Sequence, residues 1–477
     1  MLQNTSSGKS ATIRSGTINL LNTIVGAGIL AMPYGLKSNG LLFGCFLIIW
    51  SSLTSSFGLY LQSKIAKYTE SHDSVSYFSL SQLTYPNLSI IFDSAIAIKC
   101  FGVGISYLVV IGDLMPKIME SAGVSSDSIF VNRNLWITVF MMAIVIPFSY
   151  LKKLDSLKYT SVVALFSVMY LICLVLEHYF FEDNGPAPEG IHWFGPISLK
   201  STLVSFPIFV FSYTCHQNMF AIINELSPSE QDGSQTRQSN MIIRNAISIS
   251  CSSYLLVGIT GYLTFGESVN GNIISMYPKN SLSSLFGRLC IVIMVSLSYP
   301  LQCHPCRGSI NHVIYYIKKG INDRKSSNTV REPGYSQLAS DVESSNEADS
   351  SADTSFVSTT PVEGAQDSRG HYPIAVKLSK RNFYIITTSI LFFSYVIACS
   401  VTSLERVLAF VGSTGSTSIS FILPGLFGYL LIKPINGATE LNKKEQLCKY
   451  GGLALSVWGL LVMILCLSAT IFLGASE

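Results

Sequence analysis

The chain has 477 residues, of which 49% are hydrophobic and only 12% are charged. Its mean hydropathy of +0.43 is too high for a soluble protein of this length, so the composition predicts a multi-pass membrane protein. The formal net charge is +3, and the 31 Lys and Arg residues form no basic face, which argues against a nucleic-acid partner. The eleven cysteines lie mostly inside apolar stretches and are expected to fill the core rather than form disulfides.

Apolar runs of about 20 residues, the length that crosses a bilayer, predict eleven membrane spans. In chain order they are 13–36, 41–66, 90–117, 134–151, 159–181, 200–226, 242–265, 283–316, 382–403, 406–432 and 449–473. Lys and Arg are more numerous in the short segments on the side of residues 1–12, so this N-terminal tail is predicted to be cytosolic. An odd number of spans then places the C-terminus in the lumen.

The segment between spans eight and nine differs in composition from the rest of the chain. Residues 322–370 are rich in Ser, Thr, Asp and Glu and nearly free of aromatic residues, which predicts a disordered cytosolic insert. Serines beside acidic residues fit regulatory phosphorylation and regulatory partners. A loop insertion that the fold tolerates explains the same composition.

The first span is interrupted halfway. Within NLLNTIVGAGILAMPYG (19–35), residues 26–28 are Gly-Ala-Gly. Glycine costs about 1 kcal/mol against alanine inside a helix, and unwound backbone in hydrocarbon is tolerated only where it is buried in protein or lines a cavity. Carbonyl groups near Asn22 and Thr23 suit a cation, and N–H groups near Gly28 and Ile29 suit a carboxylate. The break indicates either a site for a zwitterion with a coupling ion, or the close approach of a neighbouring helix.

Span six carries a second interruption. Pro207 is expected to bend it, and residues 212–218, Ser-Tyr-Thr-Cys-His-Gln-Asn, place polar groups at its centre, where they are costly and usually functional. Two units of five helices must insert with opposite orientation, and a broken first helix in each is typical of an inverted-repeat transporter. The predicted fold is therefore all-α, with repeats 13–181 and 200–432 followed by an eleventh helix at 449–473.

Three motifs carry a family resemblance. The runs TIVGAGILAMPYG and FSYTCHQNMFAIINEL, together with Pro305-Cys306-Arg307, resemble the amino acid/auxin permease family. The resemblance is closest to its fungal vacuolar amino-acid transporters and its sodium-coupled neutral amino-acid transporters. It covers all eleven spans and excludes the insert. It implies a LeuT-type 5+5 fold of ten core helices plus one, which moves amino acids.

The resemblance also bears on the coupling ion. Asn22 matches a span-one asparagine that contributes to the sodium site of the sodium-coupled branch, and Ser296 or Ser298 falls where that branch places a span-eight hydroxyl. The vacuolar relatives are held to be proton-coupled, so H⁺ is expected over Na⁺.

Several ionisable and thiol side chains lie within predicted spans. His216 at the break of span six could carry a proton, although an imidazole bonded to a backbone carbonyl would look the same in sequence; Lys99 is the second candidate. Asp93 and Lys99 are six residues apart and so not on one helical face, and each is expected to find its own partner or to reach the cytosolic boundary. The Cys303 and Cys306 pair lacks the βαβ context of a thiol redox motif and the four ligands of a structural zinc site.

The sequence thus predicts a monomeric secondary active transporter that needs no further cofactor and is not an enzyme. The resemblance implies that it works in the vacuolar membrane and is driven by protons from lumen to cytosol. Its expected substrate-binding residues are Thr23, Gly26, Ala27, Gly28 and Ile29 in span one and Ser212, Tyr213 and Thr214 in span six. An amino-acid receptor that signals through the insert, a sodium-coupled transporter and, remotely, a thiol oxidoreductase using Cys303 and Cys306 are the alternatives.

Overall fold

The computed structural model of the chain describes residues 12–66, 75–151, 160–181, 190–226, 235–329, 378–434 and 441–473. Nearly all of these residues are helical. The helices are α1 (Ile13–Ile24), α2 (Met32–Asn39), α3 (Leu41–Ile65), α4 (Tyr77–Thr84), α5 (Ser89–Ser121), α6 (Arg133–Phe140), α7 (Ile146–Ser149), α8 (Thr160–Phe181), α9 (Leu199–Ser212), α10 (His216–Glu225), α11 (Thr236–Phe265), α12 (Leu282–Thr329), α13 (Lys380–Ser400), α14 (Leu404–Val411), α15 (Leu423–Leu431) and α16 (Lys443–Ser468). Turns of π-helix join α6 to α7 and α14 to α15.

Every predicted span contains a described helix, whereas the short helix α4 lies between spans two and three and was not predicted. Not all of the helices are long enough to cross a bilayer. Eight helices are, or nine if the bent pair α1 and α2 counts as one span. The fourth predicted span is the shorter apolar helix Arg133–Ser149. The sixth is divided between α9 and α10, because the chain unwinds between them.

One predicted boundary is wrong. α12 continues to Thr329 and so enters the segment 322–370 that was expected to be disordered from its start. A long helix extends at little cost once it is nucleated, and the Lys and Arg residues of 318–325 are good helix formers. The rest of the predicted insert, 330–370, lies outside the described residues, as does the tail 1–11.

Contacts between the ends of neighbouring helices identify the two ends of the bundle. At the first, which we call the insert end, Lys64 Nζ lies 3.3 Å from Cys448 Sγ and Asn224 bonds to the backbone of Val75. At the second, the far end, the N–H of Leu41 donates to the carbonyl of His192. Which end faces the cytosol remains a prediction.

The antiparallel helices α5 and α12 form the centre of the bundle. Gly104 lies so close to Tyr299 that a Cβ atom would be 2.9 Å from the ring, and the Cys306 thiol lies 3.5 Å from the Ala97 carbonyl. By contrast α8, α13 and α16 expose large apolar side chains such as Phe166 and Phe392. Exposed apolar faces of this kind are suited to lipid.

Candidate functional site

The predicted interruption of span one is confirmed. α1 ends at Ile24, and the chain resumes as a 3₁₀ turn over Ala27–Ala31 before α2 begins. The two halves are bent by 47°. The turn is buried, so its backbone is unwound inside the protein and away from lipid, as a break in a membrane span requires.

The interruption of span six lies at the predicted polar run. α9 ends at Ser212, α10 begins at His216, and three residues separate them. Pro207 lies inside α9, five residues before its end, and the bend expected at this proline stays a prediction. Its carbonyl faces Gly412 in the π-helical part of span ten, where a Cβ atom would lie 2.0 Å from the oxygen.

The two breaks pack directly against each other. A Cβ atom added to Gly28 would lie 2.2 Å from Ser212 Oγ and 3.0 Å from Ser212 Cα, so only glycine fits there. Gly26 packs against Tyr107 of α5, whose hydroxyl would be 3.3 Å from an added Cβ. The close approach of a neighbouring helix is therefore present at the glycines. Carboxylate binding by Gly26, Ala27, Gly28 and Ile29 stays a prediction.

Tyr254 of α11 joins the two breaks, and the sequence analysis did not identify it. Its hydroxyl lies 2.8 Å from the carbonyl oxygen of Ile24 and 2.9 Å from that of Ser212. The carbonyl ends of α1 and α9 therefore meet at one buried hydroxyl, which has a single proton for two acceptors. Helix C-termini carry partial negative charge, so this point is suited to a cationic group. No sequence pattern distinguishes Tyr254 from other tyrosines in apolar spans.

The expected ammonium-binding residues of span six are all buried. The hydroxyls of Ser212 and Thr214 have hydrogen-bond partners, whereas that of Tyr213 has none among the described residues. Ser212 Oγ donates to the carbonyl of Ile208 (2.8 Å) and Thr214 Oγ1 to that of Val210 (2.7 Å). The Tyr213 carbonyl accepts a hydrogen bond from Ser55. The hydroxyls of Ser212 and Thr214 thus bond to carbonyls of their own segment, and the acceptors nearest to both breaks are backbone carbonyls.

The residues proposed for a cation site in span one point in different directions. Asn22 donates to Ser161 of α8 (3.2 Å), whereas Thr23 donates to the Asn19 carbonyl and accepts from Asn218 of α10. Thr23 thereby links the broken spans one and six.

The span-eight serines proposed for the same site lie on α12. Ser296 donates to the Val292 carbonyl, and Ser298 is half-buried. In the described part of the chain, no hydrogen bond joins Asn22 to either serine.

His216 is fully buried at the start of α10. Its Nε2 lies 3.2 Å from the Ser55 carbonyl of α3, while Nδ1 has no partner among the described residues. Gly58 permits this contact, because a Cβ atom there would be 2.8 Å from the ring nitrogen. Buried Lys99 of α5 interacts electrostatically with His216, so the two candidate proton carriers are neighbours. Their proposed role stays a prediction.

Asp93 is paired with a residue that the sequence analysis did not identify. His312 of α12 places Nδ1 at 3.1 Å from Asp93 Oδ1. Both residues lie within apolar helices more than 200 positions apart, so only the fold brings them together.

Two spans broken next to each other inside an all-helical bundle define the architecture of a secondary transporter. The comparison with known families agrees. The chain belongs to the family described as transmembrane amino acid transporter protein, whose model matches residues 9–465.

Similar proteins cover the whole chain. It is 44% identical to "Vacuolar amino acid transporter 6" of Saccharomyces cerevisiae, over 97% of this chain and 100% of that protein. It is 41% identical to "Vacuolar amino acid transporter 5" of the same organism, over 98% and 99%. "Putative sodium-coupled neutral amino acid transporter 11" of Bos taurus is 25% identical over 65% of each chain.

One solved structure supports the predicted fold class. This structure is Mhp1, a nucleobase-cation-symport-1 family transporter in a closed conformation. The superposition spans 99% of this chain and 94% of Mhp1, with a TM-score of 0.53 at 9% identity. At this identity the similarity concerns the fold alone, which is the all-helical LeuT type. The details of the two repeats remain a prediction.

Proposed function

We propose that this protein is a secondary active transporter that moves amino acids across the vacuolar membrane, from lumen to cytosol, together with protons. The observation that carries the proposal is the meeting of both breaks at Tyr254, where the carbonyls of Ile24 and Ser212 converge. Identities of 41% and 44% over nearly full length to proteins named vacuolar amino acid transporters support the substrate class and the membrane.

The two ends of a zwitterion fit the two kinds of backbone group at the breaks. An ammonium group supplies several protons to the converging carbonyls, whereas the Tyr254 hydroxyl supplies one. The 3₁₀ turn over Ala27–Ala31 presents N–H groups near Gly28, which suit the carboxylate, whereas the Ile29 N–H donates to the Gly26 carbonyl at 3.4 Å. Charge on the substrate is thus matched at both ends without a charged side chain.

Coupling to protons rather than sodium is favoured by the partners of the candidate sodium ligands. Asn22 bonds to Ser161, and Ser296 bonds within its own helix. His216 and Lys99, which can carry a proton, lie beside the break of span six. In an acidic lumen, proton coupling drives export to the cytosol, with the N-terminus and the insert on the cytosolic side and the protein acting as a monomer.

Counterflow tests the transport proposal directly. Liposomes with purified protein are loaded with one unlabelled amino acid, and uptake of the labelled form is followed across a panel of amino acids. We expect rapid exchange for a subset of the panel. Specific binding without exchange would instead indicate a receptor that reports occupancy through its insert.

A further inference from the structure

We propose that Asp93 and His312 form a proton-binding site at the insert end, separate from His216 and Lys99. The proposal rests on the proposed proton-coupled transport and identifies a place where the proton is bound. The Asp93 side chain is only 4% exposed and that of His312 is 24% exposed, and one oxygen of the carboxylate meets the imidazole at 3.1 Å. A buried ionisable residue within a membrane span is a functional-site hypothesis by default.

Charge balance favours one extra proton on the pair. With a neutral imidazole as donor, the pair carries one negative charge, and the second carboxylate oxygen of Asp93 has no hydrogen-bond partner among the described residues. A buried charge that is only partly compensated is costly. One proton makes the pair neutral overall, as an imidazolium facing a carboxylate or as a carboxylic acid facing an imidazole. The partial exposure of His312 gives that proton a path to water.

The surrounding ionisable groups point elsewhere. Within the described residues, His312 is the only cationic group that comes within 4.0 Å of the Asp93 carboxylate. On α12, Arg307 donates to the Ser149 carbonyl and to Thr387. On α5, Lys99 interacts with Cys215 and His216.

Aromatic rings pack against the imidazole of the pair. Phe78 of α4 lies over the imidazole with ring centroids 4.3 Å apart, and Tyr316 of α12 packs on Phe78. The other ionisable group of α4, the Tyr77 hydroxyl, donates to the Ile419 carbonyl. α13 also packs on α5 and α12, and its basic residues Lys380 and Arg381 are exposed. We therefore place the proton on Asp93 and His312.

The short helix α4 connects this site to the break in span six. Phe78 contacts His312, while the adjacent Tyr77 accepts a hydrogen bond from Gln62. Gln62 also donates to the carbonyl of His216, the first residue after the break. An imidazolium attracts an aromatic face more strongly than a neutral imidazole does. Proton binding at His312 therefore changes how firmly α4 is held, and α4 in turn contacts the network at the break.

The test compares two transport modes of the full-length protein in liposomes. Exchange at equal pH needs no proton gradient, whereas accumulation against a substrate gradient does. We expect Asp93→Asn and His312→Gln to keep exchange within about twofold of the wild type and to lose about tenfold or more of pH-driven accumulation. His178→Gln is the matched control: this buried imidazole on α8 bonds to the Leu174 carbonyl and to Ser284.

Each outcome is decisive. Full pH-driven accumulation by both variants would show that the pair is not the proton-binding site. An equal loss of exchange and accumulation would show that the pair has only a structural role. If Asp93→Asn does not fold, His312→Gln, which keeps the carboxylate, carries the test. Failure of the proposed function is recognisable separately, because the wild type itself would then show no exchange or no response to the pH gradient.

Discussion

Gly28 packs against Ser212 so closely that a side chain at residue 28 would overlap the Ser212 hydroxyl, with a Cβ to Oγ distance of 2.2 Å. This contact joins the unwound part of span one to the end of α9. It makes the glycine a packing requirement as well as a candidate binding position, so a substitution there has two possible consequences that an experiment must separate.

Substitutions at Gly28 are expected to act through this contact. Gly28→Ala forces the two breaks apart and should cost about 1 to 3 kcal/mol of stability, and Gly28→Val should abolish transport. Adding Ser212→Gly removes the overlapping Oγ and Cβ atoms, and we expect it to restore much of the stability lost in Gly28→Ala. Thermal unfolding of the purified single and double variants measures this. Additive losses would mean that the two residues do not oppose each other in the folded protein.

Tyr254→Phe is expected to impair both folding and transport. The change keeps the ring but removes the hydroxyl that donates to both carbonyls. The Ile24 carbonyl still accepts from the Gly26 N–H, whereas that of Ser212 loses its bond to Tyr254, which costs about 1 to 3 kcal/mol for a buried group. Tyr213→Phe is the matched control, since this buried tyrosine packs on Tyr254 at 5.1 Å between ring centroids and its hydroxyl makes no hydrogen bond of ordinary geometry to the described residues. Thermal stability should fall in the Tyr254 variant and hardly at all in the Tyr213 variant, and the apparent substrate constant should rise in the Tyr254 variant. Equal effects in the two would contradict the role of the hydroxyl.

Arg288 is expected to be the strongest single contributor to the far end. It is fully buried, and its guanidinium donates to the carbonyls of Ile274 and Tyr277 in the loop before α12 and to Ser121 at the end of α5. Arg288→Met removes these charge-assisted bonds, and we expect a loss of about 3 kcal/mol. The exposed Arg406 provides the comparison, because Arg406→Met should change the unfolding temperature only slightly. A similar, small change in both variants would show that the loop does not depend on Arg288.

Topology is predicted from charge distribution and span number. The N-terminus and the insert are expected in the cytosol and the C-terminus in the lumen. Protease protection of tags at the two termini of the membrane-embedded protein measures this. Protection of both tags, or of neither, would contradict an odd number of spans.

The sequence predicted the large features because each depends on local pattern. The length of an apolar run indicates a membrane span. Paired glycines, or a polar run such as 212–218, disfavour a continuous helix wherever they occur. The position of both breaks followed from this. The close approach of Gly412 to the Pro207 carbonyl did not follow from it, because this contact joins spans six and ten.

Contacts between distant helices could not be predicted in the same way. Tyr254 meets Ile24 and Ser212 only because α11 packs beside both breaks, and nothing in its own neighbourhood indicates this. Asp93 and His312 likewise come into contact only because α5 and α12 pack side by side. The extension of α12 to Thr329 depends on a helix that has already formed upstream. The polar composition of the segment alone does not indicate this.

The nature of the coupling ion tests the account most directly. Liposomes containing the purified protein are given either a pH gradient without sodium or a sodium gradient at equal pH, and accumulation of a transported amino acid is measured for the wild type, Asn22→Ala and His216→Ala. We predict accumulation with the pH gradient alone, weakened in Asn22→Ala through loss of its bond to Ser161, and a flatter pH dependence in His216→Ala. Sodium-dependent accumulation that does not respond to pH, and that is abolished in Asn22→Ala, would contradict proton coupling and place the cation at Asn22.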